Sequence, residues 1–243
     1  MERAGAVSTG LTLRGFLAKY FYFLMSLLIT AAVAYGFSFT LDKNLIHPAV
    51  PRPRLLYVYA AIFTAWLAYF ILKSGLVRLR RVAWHRTIGL AGVALGALIP
   101  ILGVWTTFVM GKFDIQVLHS SAPPSVIFIP LLDMACFTSA FIPAVLWRKK
   151  PERHRRLMLV ASCALTAAGF GRFPERFQPG QFFYAGVDLL IVLGMARDLI
   201  VDRKVHAVYK VALPAFLLGQ ALVFYIILKN VPFFARLAQA MIG

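Results

Sequence analysis

The sequence predicts an all-α fold: a polytopic transmembrane bundle of about seven helices, formed by a single domain over residues 1–243. Hydrophobic residues make up 60% of the chain and charged residues only 14%, and the mean hydropathy is +0.77. Soluble domains are about 45–50% apolar and about 25% charged, which excludes an ordinary soluble protein and a disordered chain. The apolar residues lie in long runs, and in lipid such runs must be helices because each backbone donor and acceptor needs an internal partner.

Seven runs are long enough for a bilayer core of about 30 Å, which requires about 20 apolar residues. They cover residues 16–37, 55–76, 87–110, 125–147, 157–173, 181–200 and 207–228. The fifth run is short, and the sixth contains Asp188. Within helix one, Ala32-Val33-Ala34 also matches a signal-peptidase site, so cleavage that leaves six helices stays an alternative.

The net charge of +17 is distributed unevenly along the chain. Most Lys and Arg precede helix one or lie in the loops at residues 78–86, 148–156 and 197–210. The positive-inside rule therefore predicts an inner-membrane protein with a cytoplasmic N-terminus and an outside C-terminus. Short basic clusters between apolar runs argue against nucleic-acid binding.

The lipid bilayer is the expected partner of these cations, through its anionic phospholipids. The residues expected at the headgroups are Arg80, Arg81, Lys149, Lys150, Arg155 and Arg156.

Two carboxylates lie inside predicted spans, where ionisable groups are costly and usually functional. Asp133 and Asp188 fall at similar depth in the outer half, with Gln220 near that level and Arg172 and Glu175 at the outer end of helix five. This pattern predicts an outward-facing polar pocket that binds or moves a small ligand, proton or cation. The alternatives are an accessory subunit of a membrane complex, with partner subunits, and a purely structural subunit in which these residues only set helix packing.

Five histidines support a different interpretation, a redox protein that binds heme b or quinone. His85, His154 and His206 stand at the cytoplasmic mouths of returning helices, whereas His47 and His119 lie in outer loops. Neutral imidazole ligates heme iron. The neighbouring Lys and Arg residues instead favour polar groups at headgroup level.

No catalytic residue is predicted, because P-loop, dinucleotide, HExxH and GxSxG signatures are absent from the sequence. Asp198 is expected to pair with a loop cation at the interface. Gly92 and Gly96 predict a close approach by a neighbouring backbone, and residues 232–243 are expected to lie along the outer interface.

Several short motifs resemble those of an uncharacterised family of bacterial multi-pass membrane proteins. They are His85-Arg86-Thr87-Ile88-Gly89, Pro130-Leu131-Leu132-Asp133, His154-Arg155-Arg156-Leu157-Met158, and Asp188-Leu189-Leu190 followed by Asp198 and His206. The His-Arg openings are also similar to those of cytochrome-oxidase assembly and cytochrome-b561-like proteins. The resemblance covers residues 45–210 and implies a bacterial helical membrane bundle without assigning an activity. The paired histidines within one helix that cytochrome-b561-like proteins use are absent here.

Overall fold

The computed structural model describes residues 12–177 and 182–243, and within these ranges the regular structure is helical. The helices are α1 (Leu13–Ser38), α2 (Arg54–Arg78), α3 (Val82–Thr87), α4 (Gly89–Gln116), α5 (Phe128–Leu146), α6 (Pro151–Ala164), α7 (Ala167–Phe170), α8 (Phe183–Asp202), α9 (Ala207–Leu228) and α10 (Pro232–Ile242). A π-helical turn covers Asp42–Ile46, and a 3-10 turn over Pro124–Ile127 leads into α5. The first residue of the predicted sixth span, residue 181, lies outside the described residues.

Five helical segments are long and apolar enough to cross a membrane, as in an integral membrane protein. They are α1, α2, α4, the 3-10 turn joined to α5, and α9. The helical bundle is therefore confirmed. The predicted fifth span is broken, because α6 ends at Ala164 and α7 begins at Ala167. The predicted sixth span, α8, carries four charged residues, Asp188, Arg197, Asp198 and Asp202.

The helices alternate in direction, so their connections gather at two ends of the bundle. We call the end with the turns at residues 79–81, 147–150 and 203–206 the basic end. We call the other end, with residues 39–53, 117–127, 171–177 and 229–231, the loop end. Arg80 and Arg203 adopt left-handed φ angles of 58° and 59°. These left-handed residues turn the chain sharply after α2 and α8.

Aromatic rings fill the centre of the bundle. Trp66 of α2 is fully buried, and its ring meets the Phe141 ring of α5 edge-on with centroids 5.6 Å apart. A Cβ on Gly96 would lie 2.2 Å from the Phe141 ring, and one on Gly92 would lie 2.2 Å from the Tyr69 hydroxyl. The predicted small-residue pair on α4 therefore makes room for the aromatic rings of Phe141 and Tyr69. The prediction was that a neighbouring backbone would approach there.

A close approach of two backbones occurs elsewhere, where α1 crosses α7. A Cβ on Gly36 would lie 2.1 Å from the carbonyl oxygen of Gly169, and a Cβ on Gly169 would lie 2.8 Å from the Cα of Val33. Only glycine permits this contact, which holds the short helix α7 against α1.

The C-terminal segment forms α10, and one of its faces packs on the bundle. Ala238 is fully buried and Ile242 is 2% exposed, both in contact with Ile127. Phe233 and Leu237 are exposed on the opposite face. The helix is therefore amphipathic and lies at the loop end, beside the 3-10 turn.

Candidate ligand-binding cavity

Asp133 is buried in the second turn of α5 and has a specific partner on α8. Its side chain is 8% exposed, and the Tyr184 hydroxyl donates a hydrogen bond of 2.8 Å to its Oδ1. Sequence analysis did not single out Tyr184. It precedes Asp188 by one helical turn, so both side chains lie on the same face of α8.

Asp188 is held by a different residue. The amide nitrogen of Gln220 on α9 donates a hydrogen bond of 3.0 Å to its Oδ1. The carboxylates of Asp133 and Asp188 therefore each have a hydrogen-bond donor of their own, as buried polar groups require.

Arg172 follows α7 at the loop end and lies apart from both carboxylates. It donates to the backbone oxygen of Ala168, and its guanidinium carbon lies 4.2 Å from the centroid of the Phe37 ring. Within the described ranges, no carboxylate oxygen lies within 4.0 Å of its guanidinium. Glu175 is exposed in the turn after Arg172.

A cavity of about 1210 Å³ lies between α1, α2, α4 and α5 and reaches the loop end. Asp133 and Arg172 line it, whereas the lining of this cavity does not include Asp188, Gln220 or Glu175. Most of the surface is apolar. The polar and charged lining residues include Asn44, Arg52, Tyr59, Thr64, Thr106, Thr107, Asp114, Asp133 and Arg172.

The cavity opens along a line between α1 and α2, which we call the α1–α2 seam. Ala34 and Ser38 line it from α1, and Ala60, Thr64 and Ala68 line it from α2. Residues four apart share one face of a helix, so each helix presents a row of small side chains to the cavity. Ala34, Ser38, Thr64 and Ala68 are exposed. The seam is therefore an opening on the side of the bundle, in addition to the one at the loop end.

In the cavity wall, two polar atoms are buried and have no hydrogen-bond partner among the described residues. They are Nε of Arg52 and the hydroxyl of Thr106. The guanidinium of Arg52 also donates to Oδ1 of Asn44 at 3.3 Å and stacks on Phe113 at 5.2 Å. An unsatisfied buried polar atom is costly, and a bound ligand would supply the missing partners.

Two of the five histidines meet at the basic end. The rings of His85 and His154 lie edge-on with centroids 6.5 Å apart. Their Nδ1 atoms face backbone oxygens, at 3.4 Å from Lys73 and 2.8 Å from Ala144. Burial, together with the nearby charge of Lys73, holds the pKa of His85 below its ordinary value.

The remaining histidines lie apart from that pair. His206 caps α9, where its Nδ1 accepts a hydrogen bond of 3.1 Å from the Val208 amide. His47 contacts Asp42 at 2.7 Å on an exposed surface, and His119 is exposed in a turn. In the described part of the chain, no three His, Cys, Asp or Glu side chains form a group that could hold a metal ion.

Arg156 is inside the bundle, in contrast to the expectation that it contacts lipid headgroups. Its side chain is 2% exposed because three carboxylates surround it: Asp198, Asp202 and Glu152. Arg197 also binds Asp198 and Asp202, at 3.0 and 2.6 Å. Asp198 is therefore a fully buried member of this network, paired with two arginines.

The other predicted headgroup cations lie on the surface of the basic end. Arg80, Arg81, Lys149 and Lys150 are exposed. Arg155 is half-buried, binds Glu152, and lies 5.3 Å from the Tyr22 ring.

Comparisons of the chain with protein-family models, with curated proteins and with solved structures give no match, so its function is argued from the geometry of these sites.

Proposed function

We propose that this chain is a seven-helix bacterial inner-membrane protein that binds a membrane-soluble amphipathic molecule in the cavity between α1, α2, α4 and α5. The observation that carries the proposal is the size and chemistry of that cavity, about 1210 Å³ with a largely apolar wall. Ligand pockets are commonly about 300–1,000 Å³ and mostly apolar, with a few placed polar groups.

The α1–α2 seam supports a ligand that enters from the bilayer. The small side chains of Ala34, Ala60, Thr64 and Ala68 leave an opening between two helices that are long enough to span a membrane. A molecule with an alkyl or isoprenoid body reaches such an opening without leaving the hydrocarbon. A quinone belongs to this ligand class as well.

The buried ion network supports the proposal that the broken α6–α7 pair and α8 complete a seven-helix bundle. Charges that face lipid are costly unless they are paired or turned toward the protein interior. Arg156, Arg197 and Asp198 are 2%, 3% and 0% exposed, and they pair with one another. In our proposal the α6–α7 pair and α8 therefore cross the membrane, with their charged side chains turned toward the protein interior and away from lipid.

We place the basic end in the cytoplasm, with the N-terminus inside and the C-terminus outside. Exposed cations at that end, such as Arg80, Arg81, Lys149 and Lys150, favour contact with anionic phospholipids. In this orientation the cavity mouth at the loop end faces outward.

Photolabelling tests ligand entry. Membranes that contain the protein are illuminated with a photoactivatable palmitate, and the labelled peptides are mapped by mass spectrometry. We expect label concentrated on α1 and α2 around Ala34 and Thr64, and lost in Thr64→Trp, which fills the seam. Leu218→Trp is the matched control, since Leu218 is 73% exposed on α9 and does not line the cavity. Label that is spread evenly and unchanged in Thr64→Trp would remove the proposal.

The His85–His154 pair supports a second candidate, binding of heme or a single metal ion by these histidines. A hydrogen bond from Nδ1–H to a backbone oxygen leaves the lone pair on Nε2, as is common for histidines that bind metals. Heme would supply electron-transfer chemistry. Absorption spectra test it: a Soret band that disappears in His85→Ala and His154→Ala supports it, and no band after reconstitution with hemin rules out heme.

A further inference from the structure

We infer that the cavity ligand is an anionic amphiphile, a carboxylate or phosphate carried on a long apolar tail, and that Arg172 binds its anionic group. This inference rests on the proposed function, because it names the class of molecule that the cavity takes. The single relationship behind it is a guanidinium in the wall of a largely apolar cavity that has no carboxylate partner among the residues that the structure describes.

Arg172 is positioned to receive an anion. Its guanidinium is held from two sides, by the backbone oxygen of Ala168 and by the face of the Phe37 ring at 4.2 Å. Neither contact neutralises the positive charge. Burial of a charge without a counter-ion is costly, and the planar guanidinium binds carboxylate or phosphate through two parallel hydrogen bonds.

Arg52 provides a second cation at the same end of the cavity. One side of its guanidinium contacts Asn44, while Nε is buried and unpartnered. Asp114 also lines the cavity near Arg52 but forms no ion pair with it within 4.0 Å. Arg52 therefore contributes a second positive charge at the loop end of the cavity, where Arg172 also lies.

The position of Asp133 sets the direction of the ligand. Its carboxylate lies on the cavity wall and already accepts a hydrogen bond from Tyr184. A second anion beside it would be repelled, and Asp114 lies near Arg52, so the anionic group belongs at Arg172. The tail then follows α2 from Leu56 to Ile71, which both line the cavity, over a length of about 22 Å at about 1.5 Å per residue.

Two sources could supply this chemistry, a free fatty acid or an anionic lipid with a phosphate headgroup. Two matched pairs of probes distinguish the contribution of the charged group from that of the apolar tail. They also distinguish a fatty acid from a phosphate lipid as the ligand. Oleate is compared with oleyl alcohol, and oleoyl-lysophosphatidic acid with monoolein. Binding of each probe is measured with radiolabelled compound on the purified full-length protein in a neutral detergent.

For the wild type, we expect each anionic probe to bind about tenfold more tightly than its neutral match, which corresponds to about 1.4 kcal/mol, because hydrogen bonds to a charged group are stronger than those to a neutral one. Oleate preferred over the lysophosphatidic acid indicates a fatty acid as the source, and the reverse order indicates a phosphate lipid. In Arg172→Gln the preference for charge should disappear while binding of the neutral probes is retained. Arg52→Gln should reduce the preference for charge in part. Arg80 is exposed at the basic end, so Arg80→Gln should leave this preference unchanged.

Equal affinities within both pairs for the wild type would overturn the inference without the use of any variant. An unchanged preference for charge in Arg172→Gln would overturn it as well, whatever the result for Arg52→Gln. In either case the proposed function stands if the neutral probes bind and Thr64→Trp abolishes that binding. If no probe binds the wild type, the proposed function and this inference fail together.

Discussion

Arg156 of α6 and Asp198 of α8 form a bidentate ion pair inside the bundle, although 42 positions separate them in the sequence. Nε of Arg156 donates to Oδ2 at 2.8 Å, and its terminal nitrogen donates to Oδ1 at 2.7 Å. Asp198 is fully buried, and it also accepts from Arg197 and from the backbone amide of His206. This pair links the helix that carries the predicted fifth span to α8.

Removal of one partner of this pair should destabilise the protein strongly. Arg156→Leu leaves Asp198 buried with one guanidinium fewer, and breaking a buried pair costs about 3–5 kcal/mol. The measurement is thermal unfolding in detergent. Arg155→Gln is the control, because the only carboxylate that Arg155 binds among the described residues is the exposed Glu152, so its loss should change the free energy of unfolding by less than about 1 kcal/mol. Equal losses in the two variants would contradict a specific role for Arg156.

The contact between α1 and α7 should be intolerant of any side chain. A Cβ on Gly36 meets the Gly169 carbonyl oxygen, a backbone atom that cannot rotate away, so Gly36→Ala should cost about 1–3 kcal/mol. Gly75→Ala is the matched control on α2. Its Cβ would lie 3.6 Å from the Phe23 ring, which is ordinary contact, so the helix gains about 0.5–1 kcal/mol. A Gly36→Ala protein as stable as Gly75→Ala would show that the two helices are farther apart.

Asp133 and Asp188 should respond differently to substitution, because only Asp133 lines the cavity. Asp133→Asn should alter the affinity for the amphipathic probes. Asp188→Asn should change the melting temperature and leave affinity unaltered. Probe binding and thermal unfolding are measured on both variants. Identical effects of the two substitutions on affinity would indicate that they share one site.

Stability should fall as the pH is lowered from about 7.5 toward 5.5. Burial and the charge of Arg156 hold the pKa of His206 below its ordinary value of about 6.5. The unfolded chain therefore takes up protons first as pH falls, which favours unfolding. Protonation also removes the lone pair with which Nδ1 caps α9. The groups around His206 are Arg153, Arg156, Glu152 and Asp198.

His206→Asn tests this cause, since asparagine also caps a helix but does not titrate in this range. Its melting temperature should fall less between pH 7.5 and 5.5 than that of the wild type. The pKa of Glu152 is also lowered: burial opposes ionisation, but the hydrogen bond from Arg156 and the charge of Arg155 outweigh it. Glu152 therefore adds to acid instability only below about pH 4.5. Equal pH dependence in His206→Asn and wild type would assign the acid effect to other groups.

The helices themselves follow from the sequence, since long apolar runs admit no other structure in lipid. The predicted span 207–228 coincides with α9, and 55–76 falls within two residues of α2 at each end. The break between α6 and α7 is not predictable from hydropathy. It depends on the Thr166 hydroxyl, which bonds to the Cys163 oxygen, and on the contact of Gly169 with α1.

The sites are less predictable, because they depend on partners far along the chain. Arg155 and Arg156 are neighbouring arginines in one basic segment, and the sequence does not distinguish them. Arg156 is buried because it pairs with Asp198, which lies far along the chain. Tyr184 carries a local signal, one turn before Asp188, but its bond to Asp133 requires the packing of α8 on α5. The cavity depends on how the side chains of α1, α2, α4 and α5 pack together, and no sequence pattern predicts this packing.

The most direct test of the cavity is a cryo-electron microscopy map of the protein in lipid nanodiscs, with a bound antibody fragment to increase its size. We predict an elongated density that enters through the α1–α2 seam, follows α2 between Leu56 and Ile71, and ends beside Arg172. A map in which α1 and α2 pack side by side along the seam, or in which the cavity holds no density, would contradict the account.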